Sequence, residues 1–218
     1  MSAYPPWLAP LVDAARAARA GDTATFLPPD DGSGVASAVL IALAETDDGP
    51  GVLLTQRAPD MRRHPGQVAF PGGAVDPGDA DDVAAALREA EEEVGLDPAS
   101  VETLAELPAI FIPPSGFVVT PVLAWWHTPH PVAPVDSAEV ARSAVVPISA
   151  LTDPANRFGV QHPSGWLGPG FEVDGLFVWG FTAMLLDRLL TMAGWNRPWD
   201  EGRRRGIPER VIGGPRTG

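Results

Sequence analysis

The order of apolar and polar residues in the first quarter of the chain predicts a helix followed by a pair of strands. Between residues 7 and 20 apolar side chains recur at helical spacing, and Gly21 ends the pattern. The apolar run at 35–45 predicts a buried strand. Residues 47–51 have the composition of a hairpin loop, so residues 52–56 are expected to return as the second strand.

The middle of the chain carries the clearest helical pattern. Residues 81–94 place apolar side chains on one side, and Gly95 follows as a residue type that commonly ends helices. Residues 57–73 have the composition of a charged loop, with a short strand predicted at 68–70. Further elements are predicted after the helix: strands at 103–111, 117–126 and 139–147, and a helical turn at 148–151.

The last third of the chain is less regular. Residues 156–170 are rich in Gly, Pro and polar side chains and predict a mobile loop, whereas the apolar segment 177–192 predicts mostly helix. From Trp195 onward Arg, Gly and Pro dominate, so a poorly ordered tail is expected. Strands on both sides of a central helix, with a late helix covering the sheet, indicate a single α/β layered domain.

The length of 218 residues fits one such domain with flanking segments. We expect a helical extension at residues 1–30, the domain at 31–194 and the tail at 195–218. Apolar residues make up 45% and charged residues 20%, which is ordinary for a globular protein. The absence of cysteine excludes disulfides, zinc–thiolate sites and a thiol nucleophile.

The charge balance narrows the range of partners. Fifteen basic and 28 acidic residues give a net charge of −13, which argues against a nucleic-acid partner because sequence-independent binding needs a basic face. The apolar runs are too short to span a bilayer and the first residues lack the features of a signal peptide. A soluble cytoplasmic protein with no membrane partner is expected, and an anionic substrate must be met by a metal ion or by arginines.

Three glutamates on the predicted central helix are the strongest chemical signal. Glu89, Glu92 and Glu93 are three and four residues apart, so they share one helical face. Such close carboxylates repel one another unless a cation joins them. Arg88 precedes Glu92 by four residues and can pair with it. Taken alone the run fits a solvated acidic face; with the double glycine at 72–73 upstream, it predicts a divalent metal held against a phosphate.

Positive charge concentrates on the segment that leads into this helix. Its basic residues are Arg57, Arg62, Arg63 and His64. An arginine can bind a phosphate through two parallel hydrogen bonds, and the glycines at 66, 72 and 73 allow close approach of the backbone to a ligand. The segment therefore predicts phosphate binding. The alternatives are a surface loop whose arginines pair with nearby carboxylates and, for His64, a structural role.

Together these residues resemble the Nudix box. Gly73 is followed after five residues by Asp79 and after eight more by the run 88–96, Arg-Glu-Ala-Glu-Glu-Glu-Val-Gly-Leu. The chain departs from the general pattern in having Asp79 in place of Glu and one extra residue before Arg88, which leaves Asp79 without an assigned role. The resemblance implies the Nudix fold, an α/β/α sandwich with a central mixed β-sheet. It also implies hydrolysis of a nucleoside diphosphate derivative with Mg²⁺ or Mn²⁺ on the helix glutamates.

A second motif resembles one group within this superfamily, the coenzyme A diphosphatases. Residues 53–57 read Leu-Leu-Thr-Gln-Arg and are followed by Arg62, Gly66 and Phe-Pro-Gly-Gly at 70–73, similar to the signature LLTxR…R…G…FPGG. The stretches 115–122 and 179–183 agree with the same group, whereas Ala74 stands where relatives often carry Lys. The resemblance implies cleavage of coenzyme A to 3′,5′-ADP and 4′-phosphopantetheine.

The residues and the resemblance together give a set of expected site residues, in which turn and strand packing explain Ser115 equally well. Glu89, Glu92 and Glu93 are the expected metal ligands, and the expected catalytic residues are Glu89, Glu92 and Glu139. The general base stays open between Glu92 and Glu139, and a plain surface carboxylate is the alternative for Glu139. The expected substrate-binding residues are Arg57, Arg62, Arg63, His64, Gly66, Phe70, Gly72, Gly73 and Ser115.

Other functions are compatible with the same motifs. The closest alternative is another Nudix activity, on ADP-ribose, NADH or a nucleoside triphosphate. A non-catalytic nucleotide-sensing module on the same fold would be expected to lose helix glutamates that this chain retains, and the acidic balance disfavours an RNA-binding or decapping protein. The expected partner is a small nucleotide, with coenzyme A favoured, and the sequence leaves open whether the chain forms a homodimer.

Overall fold

The computed structural model describes residues 4–22, 26–61, 64–208 and 211. The helices are α1 (Ala9–Ala17), α2 (Asp82–Val94), α3 (Ile148–Leu151) and α4 (Gly180–Met192). The strands are β1 (Val35–Thr46), β2 (Gly49–Arg57), β3 (Val68–Ala69), β4 (Gly72–Ala74), β5 (Val101–Glu106), β6 (Ile110–Ile112), β7 (Phe117–Trp126), β8 (Val140–Pro147), β9 (Arg157–Gln161), β10 (Leu167–Val173), β11 (Leu176–Val178) and β12 (Arg204–Gly206).

The main sheet is mixed. Its order is β3-β2-β1-β7-β5, and β4, β6 and β8 pair with β1, β7 and β2 respectively. β1 and β7 run parallel, with Val35 opposite Phe117 and Leu43 opposite Trp125, while the other pairs in this sheet are antiparallel. One face packs against α2 and the other against α1 and α4. This arrangement confirms the predicted α/β/α sandwich with a central mixed β-sheet.

The interface between α2 and the sheet consists largely of alanine. The buried alanines of this interface are Ala85, Ala86 and Ala90 on α2, Ala38, Ala42 and Ala44 on β1, and Ala124 on β7. Larger side chains complete the cluster, among them Leu40, Leu53 and Trp126. Because methyl groups occupy little depth, the helix lies close to the strands, and side chains on its flank can reach the adjoining loops.

Both ends of α2 are capped. The Asp81 carboxylate accepts a hydrogen bond from the Ala84 N–H at 2.8 Å. Gly95 adopts a left-handed conformation with φ of 69°, and its N–H donates to the carbonyls of Ala90 and Glu91. The prediction of a helix that ends at Gly95 is confirmed.

The opposite face of the sheet carries a larger apolar cluster. It includes Leu8, Leu11 and Val12 from the N-terminal segment and Leu185, Leu186 and Leu189 from α4. The N-terminal helix is shorter than the predicted 7–20, because a 3-10 turn at Pro6–Leu8 precedes α1 and Ala18 is already extended. None of the helices in the described part of the chain is long and apolar enough to cross a bilayer.

A second sheet contains elements that the sequence pattern does not reveal. Its order is β11-β10-β9-β12, with β12 parallel to β9. The prediction of a mobile loop at residues 156–170 is wrong, because β9 and the first part of β10 lie there. β11 also replaces the start of the predicted helix at 177–192. The expected poor order of the tail does not hold for residues 204–206, which form β12.

Two further strand predictions need adjustment. The predicted strand at 103–111 is divided into β5 and β6, because Pro108 lies between them and has no N–H for a sheet hydrogen bond. The predicted loop at 47–51 is shorter than expected, since Thr46 already pairs with Gly49 and β2 begins there. The short strand predicted at 68–70 is present as β3, and β4 follows it.

Candidate active site

Arg88 organises the charged face of α2. Its Nε and Nη2 donate to the two carboxylate oxygens of Asp79 at 2.9 and 3.0 Å. Its Nη1 donates to Glu89 Oε1 at 2.9 Å and to Glu92 Oε2 at 3.1 Å. A further bond from Nη2 reaches the Ala74 carbonyl at 3.1 Å. The predicted pairing of Arg88 with Glu92 is confirmed, and one guanidinium fixes two of the three glutamates.

Asp79 has a role that the sequence does not show. It closes a turn in which the Asp79 N–H donates to the Asp76 carbonyl at 3.0 Å and the Asp76 N–H donates to Asp79 Oδ2 at 2.8 Å. This turn carries the short aspartate side chain to Arg88. The hydrogen bond from Arg88 holds the pKa of the Asp79 carboxyl below its usual range. The sequence signal was available as turn-forming Asp-Pro-Gly-Asp upstream of an arginine.

Gly73 makes room for the Glu89 carboxylate. A Cβ atom at Gly73 would lie 2.5 Å from Glu89 Cδ and Oε1 and 2.6 Å from Oε2, closer than any stable contact. Burial raises the pKa of Glu89, and the neighbouring Arg88 opposes this effect. Gly72 is needed for strand pairing instead. A Cβ there would lie 2.3 Å from the Ala38 carbonyl oxygen, so Gly72 permits the pairing of β4 with β1.

Glu93 is the most strongly perturbed carboxylate of the site. Burial, and next the charge of Glu89, raise its pKa to about 7, while Arg57 and the Gly72 N–H act in the opposite direction. The negative charge of Glu139 raises this pKa further, as the smallest of these causes. Glu93 Oε2 is buried and has no hydrogen-bond partner among the described residues. An unpaired, buried carboxylate oxygen beside other carboxylates is a position that a cation would stabilise.

Arg57 ends β2 on the side of the sheet that faces α2. Leu53 and Arg57 share one face because side chains alternate along a strand, and Leu53 packs in the α2 cluster. A bulge between Gln56 and Arg57 interrupts the pairing with β8. Arg57 Nε is buried and lacks a partner in the described part of the chain. The site thus combines an unused acceptor on Glu93 with an unused donor on Arg57.

The carboxylates predicted to bind a metal ion do not form a complete metal site by themselves. Within the described residues, no group of three or more His, Asp or Glu side chains lies close enough together to hold a metal ion. Arg88 occupies one oxygen each of Glu89 and Glu92, and the Glu92 side chain is 60% exposed. Glu89 and Glu93 nevertheless offer partly buried carboxylates, which suits Mg²⁺ because this ion takes few protein carboxylates and completes its shell with water and phosphate oxygens.

Of the other residues of the predicted phosphate segment, the structure describes His64 and Gly66. Arg62 and Arg63 lie outside the described residues. His64 is exposed with φ of 54°, and its carbonyl accepts a hydrogen bond from the Gln67 N–H. Gly66 is buried with φ of 65°, and its carbonyl accepts from Gln56 Nε2 at 3.3 Å. Gly66 is thus held inside the loop by its backbone.

Two residues expected to bind substrate have contacts within the fold. Phe70 is 2% exposed and packs in the core on the face opposite α2, which corrects its expected contact with a ligand. Ser115 lies in the turn between β6 and β7, where its hydroxyl donates to the Ile112 carbonyl at 3.2 Å. Ser115 comes five residues before Thr120 of β7. Thr120 pairs with Ala38 of β1, which on its other side pairs with Gly73 of β4. Its hydroxyl therefore has a role within the turn.

Comparison with known proteins gives one consistent answer. A family model of the NUDIX domain matches residues 34–163. The uncharacterized Nudix hydrolase NudL of Enterobacter sp. (strain 638) is 41% identical over 171 residues, which cover 72% of this chain and 82% of that protein. The NudL protein of Escherichia coli (strain K12 / DH10B) is 40% identical over 165 residues with the same coverage.

A solved structure agrees at the level of the fold. The crystal structure of the Nudix hydrolase RenU from M. smegmatis superposes with a TM-score of 0.50 and 21% identity, covering 73% of this chain and 86% of that chain. With the family match and the NudL relatives, the chain belongs to the Nudix family. It is a hydrolase of nucleoside diphosphate derivatives, and enzymes of this family generally use divalent metal ions. The resemblance to the Nudix box is confirmed.

Proposed function

We propose that the chain hydrolyses the diphosphate of coenzyme A or its thioesters, with Mg²⁺ or Mn²⁺, to 3′,5′-ADP and a 4′-phosphopantetheine product. One observation carries the proposal. The segment from 53 to 73, which resembles the coenzyme A diphosphatase signature, runs directly past Glu93, where Arg57 and the Gly72 N–H both act on the carboxylate. The family motif for metal binding and the motif for coenzyme A thus meet at one side chain.

Glu93 and Glu89 are the proposed holders of the metal ion, with Glu92 as a third contact. Burial makes both Glu89 and Glu93 poor hosts for an uncompensated negative charge. Arg88 fixes the orientation of Glu89 and Glu92 through a single nitrogen. When bound, a divalent ion neutralises charge on the diphosphate oxygens and lowers the pKa of a coordinated water. The role of the chain is to hold the carboxylate oxygens of these glutamates in a fixed arrangement that is poor in water.

Arg57 is the proposed contact to the diphosphate. Its Nε is a buried donor without a partner among the described residues, and a phosphate oxygen would satisfy it. Its position beside Glu93 places positive charge next to the proposed metal ligands. Arg62, Arg63 and His64 remain proposed contacts to the other phosphates of coenzyme A on the grounds of charge and motif alone.

Glu139 is the proposed general base. Glu92, the other candidate, already accepts a hydrogen bond from Arg88 through its Oε2 atom. Glu139 is exposed, lies near Glu93 and has no such arginine in the described part of the chain. A carboxylate in this position can take a proton from a water molecule that attacks phosphorus.

The test is product identification by mass spectrometry. The purified protein is incubated with coenzyme A, acetyl-coenzyme A, ADP-ribose, NADH and ATP, each with Mg²⁺ or Mn²⁺. Release of 3′,5′-ADP from coenzyme A at the highest rate would support the proposal. Faster cleavage of ADP-ribose, NADH or ATP would replace coenzyme A with another nucleoside diphosphate derivative. Absence of any turnover across the panel would contradict a hydrolytic function.

A further inference from the structure

The loop before β8 is bound to the end of α2. We call residues 131–138 the strap. The Ala133 N–H donates to the Val94 carbonyl at 3.2 Å, and the Val135 N–H donates to the Glu93 carbonyl at 3.0 Å. The last carbonyls of a helix have no partner within the helix, so these bonds satisfy groups that would otherwise need water. The strap is therefore attached to the same residue that carries the buried carboxylate.

The strap continues into a tight turn that carries Glu139. The Asp136 carbonyl accepts hydrogen bonds from the N–H groups of Glu139 at 3.1 Å and Val140 at 2.9 Å. The Asp136 carboxylate accepts from the Ala138 N–H at 2.8 Å. On the far side, the Glu139 carbonyl accepts from the Ala58 N–H at 2.8 Å. The backbone of Glu139 is thus held between the end of α2 and the end of β2.

This double attachment has a physical reason. Glu139 is exposed and acts on Glu93 as a like charge, so on a free loop its side chain would turn away into solvent. The strap also receives a hydrogen bond on its own backbone, from Ser143 Oγ to the Val132 carbonyl at 3.2 Å. Fixed backbone atoms keep Glu139 beside Glu93 despite the repulsion, so less ordering is needed when substrate binds.

We propose that Asp136 is a positioning residue for the reaction: through its carboxylate and its carbonyl it fixes the turn that keeps Glu139 beside Glu93. This inference rests on the proposed function, in which Glu139 is the general base. Asp136 itself touches neither substrate nor metal in this proposal. Its replacement should lower kcat and leave KM nearly unchanged, because Glu139 acts on the attacking water and contributes little to substrate binding.

The experiment compares Asp136→Ala with two reference variants. Asp136→Asn keeps an oxygen that can accept the Ala138 N–H. Asp153→Ala removes an equivalent bond, from the Ala155 N–H to Asp153 Oδ1 at 2.8 Å, outside the strap. The kcat and KM of each variant are measured with the compound of the substrate panel that is cleaved fastest, and thermal unfolding is measured in parallel. We expect kcat to fall about tenfold for Asp136→Ala only, with KM within about twofold.

Measurements in the Glu139→Gln variant separate a positioning role of Asp136 from general damage to the structure. In Glu139→Gln, which we expect to lose at least about 100-fold in kcat, adding Asp136→Ala should change kcat by less than about twofold. A full tenfold loss in that background, or the same loss for Asp153→Ala, would overturn the inference. If Asp136→Ala does not fold, Ala138→Pro takes its place, because it removes the N–H that the Asp136 carboxylate accepts and leaves the Asp136 side chain intact.

The two proposals fail in different ways. If Glu139→Gln retains full kcat while Glu93→Gln is inactive, the positioning inference is overturned and the proposed metal site stands. If no compound of the panel is cleaved, the proposed function is overturned and the inference about Asp136 falls with it.

Discussion

Two arginine-centred networks in this protein look alike and differ in charge balance. Arg157 in β9 is fully buried and pairs with one carboxylate, Asp187 on α4, and with the side-chain carbonyl of Asn196. The rings of Phe171 and Trp199 cover its guanidinium, with ring centroids at 4.9 and 4.8 Å. Its two hydrogen-bonded partners belong to the fold itself, and the network joins the second sheet to α4, although Arg157 Nε is buried without a partner among the described residues.

The network around Arg88 has the opposite charge balance, with more carboxylates than positive charges. Arg88 faces the carboxylates of Asp79, Glu89 and Glu92, while the Glu93 carboxylate next to them has no ion-pair partner in the described residues. One positive charge cannot neutralise this set. A buried network with balanced charges indicates a structural role. A surplus of partly buried negative charge costs free energy, which a further cation would offset. The comparison thus separates a stabilising arginine from one that prepares a site.

The largest expected effect comes from Glu93→Gln, which removes the unbalanced charge. We expect kcat to fall about 1000-fold or more, because the proposed metal contact and the charge stabilisation that depends on it are lost. Fold stability should be kept, since the amide is easier to bury than a carboxylate. Steady-state kinetics with Mg²⁺ check this. The matched control is Glu91→Gln, an exposed glutamate on the same helix, and equal activity of the two variants would contradict the ligand assignment.

Arg157→Met should reverse this pattern by affecting stability and sparing catalysis. We expect the free energy of unfolding to fall by about 3 kcal/mol, the lower end for breaking a buried pair, because the partly exposed Asp187 can regain water. Urea unfolding measures this. The control Arg188→Met changes an exposed arginine on the same helix as Asp187 and should cost less than about 0.5 kcal/mol. A large loss of kcat in folded Arg157→Met would break the distinction between the two networks.

The pH dependence of stability offers a third contrast. The pKa of Glu93 is raised from 4.5 to about 7, so between these values the folded protein binds more protons than the unfolded chain. Stability of the metal-free protein should therefore fall as pH rises through this window, by about 3 kcal/mol in total. Unfolding in EDTA from pH 4.5 to 8 tests this, with Glu93→Gln as the reference. Parallel curves for the two proteins would show that Glu93 titrates normally.

The smallest effect is expected from Gly73→Ala. The added methyl would lie 2.5 Å from the Glu89 carboxylate, so that side chain must move while Arg88 keeps its other partners. We expect Mg²⁺ affinity or kcat to fall about tenfold, the scale on which displaced supporting groups act at metal sites. Gly78→Ala is the control, since its methyl would meet no atom within 4 Å. If both variants behave like the original protein, Gly73 has no role in placing Glu89.

The sequence predicts those parts of the molecule that depend on local signals. The spacing of apolar residues, the Asp81 cap and Gly95 define α2 without reference to the rest of the chain. The same helical spacing brings Glu89 and Glu93 onto one face. Turn chemistry and alternation similarly predict the β1–β2 hairpin.

Features that depend on distant pairing cannot be predicted in this way. β9 pairs with β12, more than forty residues later, and its neighbourhood is rich in Gly and Pro, so local composition indicated a loop. The placement of Arg57 and Glu139 depends on the register shift between β2 and β8 and on the strap, neither of which has a sequence signature. Phe70 was assigned to the site by its motif, but its ring is needed in the core.

The layer of alanines beneath α2 has a consequence for the evolution of the enzyme. Methyl groups on both sides set the height of the helix above the sheet, and this height determines how far Glu89 and Glu93 extend toward the glycines of β4. A change from alanine to valine at Ala90 or Ala42 would increase the distance between α2 and the sheet without altering any charged group. Substitutions at these alanines should therefore affect activity more than solubility. Members of the family should keep small side chains at these positions.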